Sequence, residues 1–303
     1  MTGTYECNEV LMKLHDWYDR IGSPPGSFDE AIKKLNTIVE TRSRQLHIFF
    51  FLLLYSRTGS GPFIVLNMLE RISEAKPNTP VGRKLRELLA WPGPDDGLSP
   101  VKIMALTIRD IKQLCLDSIS SYLAKELRLV AKQVAELGDI PNSTKALVRL
   151  PGCTYFNACL IMEYVWGEVV GIPIGKGCRR VLARLGWLSK SLTNSRGVPT
   201  KLTNKRTEEL ISRRFWPYVY PTLTKHAKYV CFSNTPNCEQ CVVNDYCPSS
   251  RTKEYKVHRY VDSLYEQGVL PRPAPSPSPE QSVSSSKTLY SFSESESEEE
   301  PEI

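Results

Sequence analysis

Apolar residues at Leu123, Leu127, Val130, Val134 and Leu137 recur every three or four positions between Ser121 and Leu137. That spacing lines one face of a helix. Gly138 follows directly, and glycine readily takes the left-handed conformation that ends a helix. Phe63–Ala75 carries a second amphipathic pattern. Arg44–Ser56 is different, because it contains Ile48–Tyr55, eight apolar residues in a row. A membrane-crossing helix needs about 20 such residues, so this run reads as a buried core helix and not as an anchor. Ser27-Phe28-Asp29-Glu30 can cap a helix running to about Glu40, within a stretch (residues 1–42) of one or two helices. Thr107 followed by Asp110 has the capping-box arrangement at the start of another. Arg57–Pro62 reads as a turn, and Pro77–Pro80 and Pro92–Leu98 as loops. Before Val165 nothing alternates convincingly with period two, and no internal repeat is visible. The pattern predicts an essentially all-α chain.

The pattern stops after Tyr265. Pro271–Ile303 is rich in Pro and Ser, then in Ser and Glu, and such a segment cannot bury enough apolar surface to offset the entropy of ordering it. Residues 263–303 are therefore expected to be a disordered tail, open to phosphorylation or to a protein partner. Charge divides at the same place. Pro271–Ile303 has two basic and seven acidic residues, a net −5, and the other 270 residues have 37 basic and 26 acidic side chains, a net +11. A basic body fits a polyanionic partner such as nucleic acid, and it also fits simple solubility. With 303 residues the chain is long enough for one large or two ordinary domains. Its beginning shows no basic start followed by an apolar stretch, so an intracellular chain is expected. The Ser/Glu tail leans towards the nucleus, and a monomer is expected.

The cysteines carry the sharpest chemistry. There are nine, an odd number for a disulfide framework. Cys7, Cys115, Cys153, Cys159 and Cys178 are scattered, whereas Cys231, Cys238, Cys241 and Cys247 fall within 17 residues. The residues between the four, among them Ser233, Asn234, Asn237, Glu239, Gln240 and Asn244, are too polar for a packed core. Four thiolates this close can ligate one centre, either zinc or a [4Fe–4S] cube.

The gaps of six, two and five residues between these cysteines resemble the iron–sulfur loop of the endonuclease III and adenine-glycosylase (MutY-like) branch of the helix-hairpin-helix DNA glycosylases. The approach to the loop is similar too. Trp216-Pro217 precedes His226-Ala227-Lys228-Tyr229-Val230-Cys231, where the family has His-Gly-Arg-x-x-Cys, and Pro236 with Cys238 matches its Pro-x-Cys step. Upstream, Asp139-Ile140-Pro141 and Leu147-Val148-Arg149-Leu150-Pro151-Gly152 resemble the family's hairpin segment, and Arg180-Val181-Leu182-Ala183-Arg184-Leu185-Gly186 its Arg-Val-x-x-Arg-Leu-Gly helix. The resemblance runs from roughly Arg44 to Pro248. It implies an all-α, two-lobed fold. A six-helix lobe would span 43–166 with the hairpin, and a second lobe would combine 1–42 with 167–262 and a [4Fe–4S] cluster on Cys231, Cys238, Cys241 and Cys247. It also implies duplex DNA as partner, held in part by hairpin N–H groups pointing at a phosphate. DNA contacts are expected at Arg57, Gly152, Thr154, Arg180 and Lys228.

Two departures concern catalysis. Active family members use an Asp that stabilises charge on the sugar, and the bifunctional ones add a Lys that attacks the sugar carbon. Leu150-Pro151-Gly152-Cys153-Thr154-Tyr155-Phe156-Asn157-Ala158 stands where the family has LPGVGRKTA, which puts Phe156 at the Lys position and Thr154 at the second hairpin glycine. Five residues before Arg180, where the Asp is expected, stands Gly175. Two more concern DNA. Arg57 replaces a Gln that wedges into the duplex, and Phe232–Asn237 is uncharged where the family's loop is basic. No catalytic residue is therefore assigned. Three readings stay open: a DNA-binding relative without glycosylase or lyase chemistry, an active enzyme with relocated residues (Lys176 or Glu168), and an interaction scaffold that does not touch DNA.

Overall fold

A computed structural model describes residues 4–22, 26–75, 97–188 and 201–252. The expected tail and most of the two proline-rich loops lie outside these residues. The residues up to Thr252 gather into one compact unit. Among the described residues all regular structure is helical. The helices are α1 (Thr4–Ile21), α2 (Phe28–Asn36), α3 (Thr41–Thr58), α4 (Pro62–Glu74), α5 (Pro100–Ala105), α6 (Ile108–Leu114), α7 (Ser121–Leu137), α8 (Thr144–Leu147), α9 (Tyr155–Trp166), α10 (Lys176–Arg184), α11 (Lys201–Leu210) and α12 (Trp216–Tyr229).

The boundaries follow local chemistry. Ser27 caps α2 by accepting from the Glu30 amide. Thr107 and Asp110 form the reciprocal capping box expected at α6. Gly138 closes α7 at φ 77°. The short helix α5, capped by Ser99, falls where the periodicity shows only an approach to α6. α3 is the centre of the packing. Ile48 to Leu54 are all buried, as expected of a helix that is apolar on every side. α2, α4 and α9 pack on it. α5 and α6 lie on α7, and α6 also reaches α4. α12 receives α1 on one side and α10 on another. No helix of the described residues is long and apolar enough to cross a membrane.

Candidate functional site

The short helix α8 and helix α9 form the expected helical hairpin. Ser143 caps α8, the Cys153 amide donates to the Leu150 carbonyl at 3.1 Å, and Gly152 turns the chain at φ 69°. A side chain at Gly152 would be strained, and its Cβ would stand 3.0 Å from a carboxylate oxygen of Glu126. Glu126 is buried on α7 and receives the Arg57 guanidinium at 2.6 Å. Arg57 thus joins the end of α3 to α7, at the wall of a small hollow it shares with Pro151 and Gly152.

Thr154 caps α9. Its amide donates to Asn157 Oδ1 at 3.2 Å, and the Asn157 amide donates back to Thr154 Oγ1 at 3.4 Å. Asn157 is itself buried and donates through Nδ2 to Ser56 Oγ at 2.5 Å. The Thr154 N–H therefore points into the protein's own capping box. Lys145 and Arg149 are exposed on the hairpin.

Phe156 and Gly175 face each other. A Cβ on Gly175 would lie 3.6 Å from Phe156 Cε2, so the two positions belong to one site, although 19 residues separate them in the chain. The Phe156 ring meets Tyr220 edge-on, with centroids 5.5 Å apart. Tyr220 continues to Phe28 at 5.8 Å, and Phe28 to Tyr55 at 5.2 Å. The Phe156 ring thus belongs to an aromatic stack. Gly175 is the N-cap of α10 and makes no side-chain cap. Lys176 and Glu168 are both exposed, and Glu168 follows the Gly167 turn that ends α9. Lys228 is exposed on α12 and lies 5.0 Å from the Tyr229 ring centroid. It borders a pocket shared with Tyr55, Tyr220 and the ion-paired Asp29 and Lys225.

The four clustered cysteines line a single hollow with Val181, Leu185 and Val230. Two arginines of α10 hold its rim. Arg180 donates to the Cys231 carbonyl at 3.1 Å and to the Ala227 carbonyl at 2.7 Å. Arg184 donates to the Phe232 and Ser233 carbonyls, both at 2.6 Å, and to Cys231 Sγ at 3.2 Å. α10 can lie this close to α12 because Gly177 carries no Cβ, which would approach Ala227 Cβ to 3.0 Å. His226, 3% exposed, sits under the hollow with Nε2 3.5 Å from Cys241 Sγ and Nδ1 3.2 Å from the Tyr18 hydroxyl. Burial pushes this histidine down to about 4, so its ring is neutral near pH 7. Burial pushes the Cys241 thiol up to about 11, with Cys247, Cys231 and Cys238 adding to the shift.

Among the described residues, no three His, Cys, Asp or Glu side chains converge as ligands of a single ion. Thiolates around one zinc would stand about 3.8 Å apart, given Zn–S bonds of about 2.3 Å. The four cysteines line a common hollow, and four thiolates around one space can serve zinc or a multi-iron cluster. The donor set fits such a group.

No family model matches the chain. It is 31% identical over 131 residues to "Endonuclease III homolog 1, chloroplastic" of Arabidopsis thaliana, covering 43% of this chain and 34% of that protein. It is 27% identical over 173 residues to "Endonuclease III homolog" of Encephalitozoon cuniculi, covering 55% of this chain and 69% of the relative. The chain thus spans about a third of the length of the plant relative. Among solved structures, "Structure of a non-covalent Endonuclease III-DNA Complex" superposes with a TM-score of 0.60 at 15% identity, over 84% of this chain and 100% of that one. The helical hairpin and its setting define an all-α helix-hairpin-helix fold. The sequence matches make the chain similar to endonuclease III homologues.

Sequence spacing located the cysteines and the Phe156–Gly175 pair. It missed the parts played by Glu126, Asn157, Arg184 and Tyr18, whose partners are distant in the chain or, for the Thr154–Asn157 pair, masked by a hairpin pattern that expects glycine.

Proposed function

We propose that this protein binds duplex DNA and a [4Fe–4S] cluster without glycosylase or lyase chemistry of its own. The observation that carries this reading is the Phe156–Gly175 contact. The two positions that resemble the family's Lys and Asp still meet, but one holds a hydrocarbon ring and the other no side chain. Neither can attack a sugar carbon, move a proton or stabilise a developing positive charge.

Cys231, Cys238, Cys241 and Cys247 would hold the cluster, which supplies a rigid cross-link for a polar loop that has little core of its own. Arg180 and Arg184 keep that loop on α10 through its carbonyls. DNA affinity rests on phosphate contacts from the basic body, with Lys145, Arg149 and Lys228 exposed for the purpose. The hairpin contributes less than glycine would allow, because the Thr154 amide is engaged by Asn157. Arg57 is held by Glu126, so inserting it into a duplex would leave a buried carboxylate unpaired. The 33-residue acidic tail offers a protein partner negative charge, and a monomeric nuclear protein is the setting this reading favours.

Binding of plain duplex to the iron-loaded protein across a salt series tests the reading. A linear fall of log K with log salt is expected, with a slope made shallower by about one in Lys228→Ala. Absence of duplex binding at low salt, with iron fully loaded, would leave the scaffold reading in its place. Lys176 stands exposed beside Gly175, and a covalent adduct at that residue would replace the proposal with an active lyase.

A further inference from the structure

We propose that Tyr18 and His226 set the reduction potential of the cluster through a hydrogen bond to Cys241. The inference rests on the reading that the four cysteines hold an iron–sulfur group. A ligating sulfur can only accept, so the hydrogen in the His226–Cys241 contact belongs to Nε2, 3.5 Å from Sγ. The ring's other nitrogen faces the Tyr18 hydroxyl at 3.2 Å, and the two rings meet edge-on at 75°. Both residues are nearly closed to solvent, with 2% of Tyr18 and 3% of His226 exposed. The hydroxyl holds the imidazole in the rotation that aims Nε2 at the sulfur. Tyr18 is therefore a positioning residue acting through His226.

The consequence is electrostatic. Adding an electron to a cluster increases the negative charge on its sulfurs, and an N–H aimed at a sulfur stabilises that state in a dry site. The donor raises the potential. Arg184 supplies a second such bond to Cys231 at 3.2 Å, but it also holds two loop carbonyls and so cannot be removed cleanly. Tyr18 lies on α1, 208 residues before His226, and α1 packs against α12. The potential is thereby coupled to the seating of the N-terminal helix.

Spectroelectrochemical titration of the full-length, iron-loaded protein tests this, with iron and sulfide counted for every variant. His226→Leu removes the donor, and its potential should fall by about 59 mV, a tenfold weaker preference for the reduced state in a one-electron couple. His226→Gln offers an amide N–H near the Nε2 position and should recover most of the loss. Tyr18→Phe keeps the imidazole but frees its rotation, and should shift the potential in the same direction by a smaller amount. Should His226→Leu fail to fold, Tyr18→Phe decides alone. Unmoved potentials at full iron content would overturn the hydrogen-bond proposal and leave the cluster reading intact. Absence of iron from the wild-type protein would end both.

Discussion

The cysteine loop and the Phe156–Gly175 site differ in how their residues are tied to the rest of the chain. The loop has its four sulfurs around one hollow, two arginines on its carbonyls and a buried histidine at its base. The other site brings a phenylalanine ring against a glycine that carries no side chain and makes no side-chain cap. Groups that stabilise a fold are tied to many neighbours, and groups that perform a reaction are tied to few. The parts of the loop hold one another, whereas the Phe156 ring packs on Tyr220 and extends the aromatic stack.

The strongest way to break the comparison is at the loop. Cys238→Ser should abolish iron binding and cost more than about 3 kcal/mol, because ligand binding is folding free energy in a small metal loop. Iron analysis and chemical denaturation would show it, and unchanged values would remove the ligand assignment. Glu126→Ala should cost about 2 kcal/mol. It leaves Arg57 without the carboxylate it now reaches and opens space beneath the hairpin, though Arg57 is one-third exposed and recovers some solvation.

A pH series probes the helix that carries Phe156. Burial pushes the Glu163 carboxyl up to about 7, above its value in an unfolded chain. The folded state therefore holds a proton that the unfolded state releases, and stability falls as pH rises from about 4.5 to 7. Glu163→Gln should stabilise the protein by about 2 kcal/mol above pH 7 and leave it unchanged below pH 4. Equal effects at both pH values would contradict the assigned cause. Thr154→Ala should cost about 1 kcal/mol through loss of the α9 cap. The smallest effect belongs to Gly175→Asp. The N-cap backbone already has suitable angles, φ −87° and ψ 176°, so the new carboxylate should cap α10 and add about 0.5 kcal/mol.

What the chain's pattern made legible was local. Ser27, the Thr107–Asp110 pair and Gly138 mark helix ends because a cap acts within three or four residues. The buried character of α3 was visible in its unbroken apolar run. That the four cysteines line one hollow was legible because they lie within 17 residues of one another. The rest depended on residues brought together from afar. Arg57, expected as a DNA contact, is paired with Glu126, 69 positions on. Arg180, also expected at DNA, donates to carbonyls 47 and 51 residues downstream, contacts that its position in the sequence does not show. Thr154 looked like a damaged glycine and is a helix cap. Charge and spacing alone cannot separate an arginine that faces solvent from one that closes a loop.

The central claim is that the Phe156–Gly175 site has kept its position and lost its chemistry. The most direct test is borohydride trapping of the iron-loaded protein on a duplex carrying an abasic site, with Phe156→Lys/Gly175→Asp alongside. The account predicts duplex binding without a covalent adduct for the wild-type chain and a trapped adduct for the double variant, since a carboxylate at 175 would stand beside an amine at 156. A wild-type adduct, removed by Lys176→Ala, would contradict it and make this chain an enzyme with a relocated nucleophile.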